Sequence, residues 1–199
     1  MNSFYRTYGL IGVLRLVLFK IRTFFIAPQA RLIRFPIEIR NRKNIRIGKS
    51  LTTGFRCRIE AYPENTEEVC LQLGDFIEMN DDVHITARKK VVIGNHVLMA
   101  SKIYISDCAH GNYSGDIEHD SPEVPPSQRA LTANEVIIED NVWIGEFVSI
   151  LPGVKIGKGS IIGTMSVVTK SIPPYCIAVG SPAKVIKRYN FNTKRWEKE

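Results

Sequence analysis

Cysteine, histidine and long uncharged apolar runs are all scarce in this 199-residue chain, and each scarcity removes a class of protein. Its four cysteines, Cys57, Cys70, Cys108 and Cys176, lie far apart, with no C-x-x-C and no Cys/His ligand spacing. Neither a disulfide framework nor a metal site is indicated, and a reduced, cytoplasmic compartment is the expectation. The first apolar run is broken by Arg15, Lys20 and Arg22. That is too charged for a transmembrane helix, which wants about 20 largely uncharged residues. It also lacks a small-residue cleavage site, so no cleavable signal peptide is expected. Acids are missing from the same region. Residues 1–46 hold ten Lys or Arg against Glu38 alone, net +9, whereas the remainder has 17 basic and 19 acidic residues. The basicity belongs to an N-terminal arm. No nucleic-acid-binding motif accompanies it, and no nucleic-acid partner is expected.

What the chain does have is a period of six. An aliphatic residue returns at Ile138, Ile144, Ile150, Ile156, Ile162 and Val168. Four places after each lead sits a small or β-branched residue: Val142, Val148, Val154, Ser160, Ser166 and Ile172. A helix would repeat its apolar face at 3.6 and an ordinary strand at 2. Six fits neither, but it suits short strands laid on the flats of a triangular prism, with the lead pointing inward and successive turns stacked at about 4.8 Å. This predicts a parallel β-helix. Gly145, Gly157 and Gly163 follow three of the leads and are expected at corners that need a positive φ.

The same rhythm runs from near Ile45, through Ile47-Gly48, Thr53-Gly54 and Ile59, then Leu73-Gly74, Met79 and Ile85, then Ile93-Gly94, Met99 and Ile105. It stops over residues 107–134, which carry Pro122, Pro125 and Pro126 and no hexad. A loop this long inside a compact domain is usually functional. Before the coil, Leu10–Ala27 reads as a helix ended by Pro28, with Leu10, Leu14, Val17, Leu18, Ile21, Phe24 and Phe25 on one broad face and Leu16 and Phe19 on the other. Two readings of it stand together: a helix packed on the coil or a neighbouring subunit, or an interfacial segment that holds the protein on an anionic membrane. The division expected is an arm over residues 1–44, a coil over 45–177 with the excursion 107–134, and a basic tail over 178–199.

The interior of such a coil is packed solid, so an active site must lie on the outer wall, between subunits or under the excursion. His110 stands where the coil opens, in Asp107-Cys108-Ala109-His110-Gly111-Asn112-Tyr113, and a neutral imidazole there could act as a general base near pH 7. Nothing in the sequence activates Cys108, which reads as a filler thiol.

The hexad array, the Asn80…His110 spacing and the run from Asn141-Val142-Trp143-Ile144-Gly145 through Pro152-Gly153-Val154, Val167-Val168-Thr169-Lys170 and Ile172-Pro173-Pro174 to Gly180-Ser181-Pro182-Ala183-Lys184-Val185-Ile186 resemble the hexapeptide-repeat acyltransferases, in particular the polysaccharide and lipopolysaccharide O-acetyltransferases. The resemblance covers residues 45–188. It implies a left-handed parallel β-helix, a homotrimer with sites at the subunit interfaces, acetyl-CoA as donor without a metal, and a glycan acceptor. Residue by residue it implies that His110 is the general base and that Asn80 helps position the acceptor. Glu146 (where Ser is common) and Thr164 (where Ala is usual) would offer their backbones to the pantetheine arm. Thr169 and Lys170 match a Thr-Lys pair near the cofactor, while Lys184 and Lys187 match basic residues that meet its phosphates. Lys in place of Arg keeps the charge but loses bidentate geometry. Asp107 or a backbone carbonyl is expected to fix the His110 tautomer.

The expected activity is O-acetylation of a cell-surface polysaccharide, a lipopolysaccharide or a lipid-linked oligosaccharide, in the cytoplasm and peripherally on the inner face of the membrane through residues 1–27. N-acetylation of an amino or nucleotide sugar, acetylation of a small free sugar and a non-catalytic scaffold are the alternatives. A γ-type carbonic anhydrase would need two zinc-binding histidines five residues apart, and His84, His96, His110 and His119 offer no such pair.

Overall fold

Every lead of the hexad array is buried. In the computed structural model, which describes residues 2–115 and 117–199 with side chains from residue 6 onward, Ile138, Ile144, Ile150, Ile156, Ile162 and Val168 are each 0% exposed. They sit on three walls of parallel strands. The first wall stacks Ile37–Arg40, Cys57–Ala61, His84–Ala87, Tyr104–Ser106, Ser149–Ile150 and Val167–Val168. The second stacks Ile45–Ile47, Leu71–Leu73, Val91–Ile93, Val136–Ile138 and Lys155–Ile156. The third stacks Glu78–Met79, Leu98–Met99, Trp143–Ile144, Ile161–Ile162 and Cys176–Val179. The chain visits second, third and first wall in turn, so like residues pile in columns. One is Ile47, Leu73, Ile93, Ile138 and Ile156; another is Met79, Met99, Ile144, Ile162 and Ala178; the last is Ile59, Ile85, Ile105, Ile150 and Val168. Removing these columns from water is the main favourable term in the fold.

The glycines after the leads do a different job from the one expected. Positive φ falls two residues later, at Phe147 (56°), Gly159 (66°) and Met165 (59°). Gly145 and Gly157 are needed because the next turn of backbone passes directly over them, and Gly163 because the Val179 side chain does. A Cβ on Gly157 would lie 2.3 Å from Pro174 N, and one on Gly145 would lie 2.7 Å from Thr164 N. Gly157→Ala is therefore expected to destabilise the protein by about 1–3 kcal/mol, the usual cost of overpacking. A urea unfolding midpoint equal to wild type would refute the close-approach explanation.

The coil begins earlier than Ile45. Leu32 bridges Thr52, and Ile37–Arg40 runs in parallel register with Cys57–Ala61. One flat and a half cannot display a period of six, so residues 32–40 read as arm. At the other end Cys176–Val179 still pairs with Ile161–Ile162. Lys184–Asn190 and Arg195–Lys198 then fold back as an antiparallel hairpin on the third wall, where a tail was expected.

The N-terminal helix, α1, spans Asn2–Ile26 and is kinked at Gly9 (φ 62°). It docks with its narrower apolar stripe. Phe19 is 8% exposed and its ring centroid lies 5.8 Å from that of Phe35 and 5.9 Å from that of Phe55. The buried Thr23 hydroxyl donates to Phe19 O (2.7 Å) and accepts from Ile33 N (2.8 Å). The broad face, with Leu10, Leu14, Val17, Leu18, Ile21, Phe24 and Phe25, is 52–79% exposed.

Candidate active site

The excursion leaves the first wall after Ser106 and is pinned at its root by a buried carboxylate. Asp107 Oδ1 accepts from Arg88 N (2.8 Å) and Oδ2 from Lys89 N (2.8 Å) and Lys90 N (2.7 Å). The Asp107 carbonyl takes Asn134 N at 2.8 Å, so departure and return are tied together. With both oxygens committed to backbone amides, Asp107 anchors the loop and does not orient His110, which removes the first of the two groups expected to fix its tautomer. Between these ties Cys108–His110 pairs antiparallel with Leu131–Ala133.

His110 ends the outgoing strand of this hairpin. Its imidazole is exposed and makes no hydrogen bond among the described residues. Its peptide, by contrast, is held firmly. The Tyr113 hydroxyl donates to the His110 carbonyl and accepts from Arg129 Nη1 (2.7 Å). Arg129 is fixed in turn by Nε to Val124 O (2.8 Å) and Nη2 to Pro122 O (3.1 Å). Gly111, at φ 96°, leaves room for this brace, since a Cβ there would meet the Tyr113 hydroxyl at 2.6 Å. Tyr113 and Arg129 were not singled out from sequence; nothing in their spacing marks a contact across 16 residues.

Two other histidines have structural partners. His84 Nε2 lies 2.9 Å from Glu60 Oε2, and His96 stacks on Phe76. Burial would raise the Glu60 carboxyl, but the hydrogen bonds from His84 and Thr86 and the charge of Arg58 outweigh it and hold the group below the usual carboxylate range. Burial pushes the Cys108 thiol up, away from a reactive thiolate.

The remaining candidates divide between edges of the prism. Thr169 and Lys170, both exposed, follow Val167–Val168 on the edge between first and second walls, the edge from which the His110 hairpin springs. Asn80, Glu146 and Thr164, also exposed, lie on the edge between third and first walls. Lys184 and Lys187 sit on the returning strand of the third wall, paired with Val179 and Ile177, and neither is in an ion pair among the described residues. One chain therefore does not bring its own His110 and its own Asn80 to a common edge.

The edge that carries Asn80 has a further property. On the edge between second and third walls three successive corner amides are capped by a side chain of the next turn: Lys49 N by Asp75 (2.7 Å), Asp75 N by Asn95 (2.8 Å) and Asn95 N by Asp140 (2.7 Å). On the Asn80 edge the cap appears once, from Asp81 to Phe55 N (2.8 Å). The corresponding amides of Ser101, Glu146 and Thr164 make no hydrogen bond among the described residues. Beside them the outer third wall presents Leu98, Trp143, Ile161 and Ile177 in one register column. A row of donors next to an apolar strip suits an extended ligand whose carbonyls face one way.

A family model described as bacterial transferase hexapeptide (six repeats) matches residues 135–170. Over 97% of its length the chain is 40% identical to 96% of the Escherichia coli protein WbbJ, provisionally named a lipopolysaccharide biosynthesis O-acetyl transferase. It is 30% identical to the galactoside O-acetyltransferase of Escherichia coli over 81% of this chain and 75% of that one. A solved structure of AntD, an N-acyltransferase from Bacillus cereus in complex with an amino-sugar nucleotide and Coenzyme A, shares the fold with a TM-score of 0.67 at 22% identity, covering 83% of each chain.

Proposed function

Since this chain belongs to the hexapeptide-repeat acyltransferases, we propose that it is an acetyl-CoA-dependent O-acetyltransferase that modifies a sugar hydroxyl of a cell-surface polysaccharide, a lipopolysaccharide or a lipid-linked oligosaccharide. The observation that carries this is His110: an imidazole with both nitrogens uncommitted, on a peptide braced by Tyr113 and Arg129. His110 Nε2 takes the proton of the acceptor hydroxyl as its oxygen attacks the thioester carbonyl. The tetrahedral oxyanion is met by a backbone N–H, a term commonly worth about 3–4 kcal/mol. Its collapse breaks the C–S bond, and the leaving sulfur takes the proton from His110, which returns to its neutral form. Cys108 has no part in it, so transfer is direct.

The uncapped amides of Glu146 and Thr164 are assigned to the carbonyls of the pantetheine arm, with Trp143 as its wall. Glu146 thus acts through its backbone, its carboxylate turned to solvent. Thr169, Lys170, Lys184 and Lys187 face the nucleotide end. Because His110 and Asn80 lie on different edges, the reading requires a second copy to complete each site, and a closed ring of three left-handed coils does this with one repeated contact.

No helix among the described residues is long and apolar enough to cross a membrane. The outer face of α1 is nonetheless a continuous apolar ridge whose flanks carry Arg15, Lys20 and Arg22, the pattern of a helix lying in an anionic lipid interface. We place α1 on the inner face of the cell membrane. Leu14→Ser, Leu18→Ser and Ile21→Ser together should abolish flotation with phosphatidylglycerol vesicles, and undiminished flotation would remove this seat.

The test of the activity is thiol release from acetyl-CoA against a panel of glycan acceptors. Release that depends on the acceptor is the expected result. Acceptor-independent hydrolysis, or no binding of acetyl-CoA at all, would return the protein to the scaffold reading.

A further inference from the structure

Between α1, residues 31–34 and the rim of the third wall lies a cleft of about 540 Å³. Its lining is unusual in charge. Lys20, Arg31 and Arg34 face it against one carboxylate, Glu78, and Asn80, two residues along the chain from Glu78, shares the lining. Lys20 Nζ is held by the carbonyls of Ala30 (3.2 Å) and Arg31 (2.8 Å), and Arg34 Nη1 by that of Thr53 (2.8 Å). Neither has a carboxylate within ion-pair distance among the described residues. Arg31 lies 3.6 Å from Glu78, with both side chains more than half exposed, a pairing worth little. Carbonyls aim these cations without neutralising them. The Thr52 hydroxyl, also on the lining, is buried with no hydrogen-bond partner among the described residues. A group of concentrated negative charge is what such an arrangement lacks.

The order of features along this face then matters. The helix that walls the cleft carries the exposed apolar ridge on its outer side. The cations come next, and Asn80, the acceptor-positioning candidate, follows. We infer that the cleft binds the diphosphate of a lipid-anchored glycosyl diphosphate, with the lipid at the α1 ridge, the phosphates on Lys20, Arg31 and Arg34, and the sugar delivered toward Asn80. This rests on the O-acetyltransferase reading and narrows its acceptor to one presented from the membrane. A nucleotide-linked sugar offers the same diphosphate but gives the ridge nothing to hold.

The experiment uses the full chain and neutral phosphatidylcholine vesicles doped with a prenyl diphosphate, a prenyl alcohol, or phosphatidylglycerol at matched charge. Binding to the prenyl diphosphate vesicles is expected to exceed the phosphatidylglycerol case at least about tenfold, about 1.4 kcal/mol. Lys20→Gln/Arg31→Gln/Arg34→Gln should erase that excess. Arg31→Gln alone, which breaks no backbone hydrogen bond and so leaves the fold intact, should reduce it. Equal binding to both anionic vesicles, or an excess that survives in the triple variant, overturns the inference. So does competition by a nucleoside diphosphate at the concentration where the prenyl diphosphate binds. Acetyl transfer to a soluble glycan is followed in parallel. Transfer without the lipid excess sinks this inference alone, whereas the excess without transfer to any acceptor sinks the enzymatic reading and leaves the cleft standing.

Discussion

His110→Ala is expected to lower kcat for acetyl transfer by about 10²–10⁴-fold, the usual contribution of a positioned general base. That loss corresponds to roughly 3–5 kcal/mol of transition-state stabilisation. KM for acetyl-CoA should stay near the wild-type value, because the groups assigned to the donor lie on the coil edge and the terminal strand. The unfolding midpoint should stay too: the exposed ring makes no hydrogen bond among the described residues, and exposed substitutions of this kind move stability by about 0.5 kcal/mol or less. The separation of the two readouts is what makes the result informative. Cys108→Ser supplies the contrast. Its thiol is half-buried and its ionisation suppressed, so the substitution should leave turnover close to wild type. Turnover that survives in His110→Ala and disappears in Cys108→Ser would replace direct transfer by an acyl-enzyme.

The repeat was the most legible part of the chain, because burial on a prism recurs at every sixth residue and leaves the same residue types each time. Ile138 to Val168 could be placed inward from spacing alone. The reason for the glycines could not. Gly157 is required by Pro174, seventeen residues on, and a contact between turns of a coil is invisible to a local rule. Asp107 illustrates the same limit. As a neighbour of His110 it looked like an orienting carboxylate, yet its oxygens reach amides 17–19 residues earlier in the chain. The helix was legible as a helix but not in its orientation. A broad apolar face and a narrower one left open which would pack on the coil, and the fold packs the stripe through Leu16, Phe19 and Thr23. Docking there is decided by aromatic contact with Phe35 and Phe55, whose positions depend on where the coil starts. For the site, residue types were readable and their grouping was not. Asn80 and His110 look like partners thirty residues apart, and only the walls show that they occupy different edges.

That separation carries the second large effect. Two chains, one with His110→Ala and one with the bulky Asn80→Trp on the exposed corner, should each be inactive alone. Unfolded together and refolded as a mixture, they should recover about one quarter of wild-type activity. The arithmetic follows from pairing one chain's hairpin with its neighbour's edge. An intact hairpin comes from half of the chains and an intact edge from the other half, so about a quarter of the interfaces combine both. Mixing the two proteins after each has folded should recover little, since subunits must exchange before mixed interfaces exist. Full inactivity of the refolded mixture, with wild-type chains refolded in parallel regaining their rate, would place His110 and Asn80 in the service of one and the same chain. The edges assigned here could not then both belong to the site. Recovery near the expected fraction would make the neighbour's edge part of the active site, and explain why the exposed His110 ring has no Asn80 of its own chain beside it.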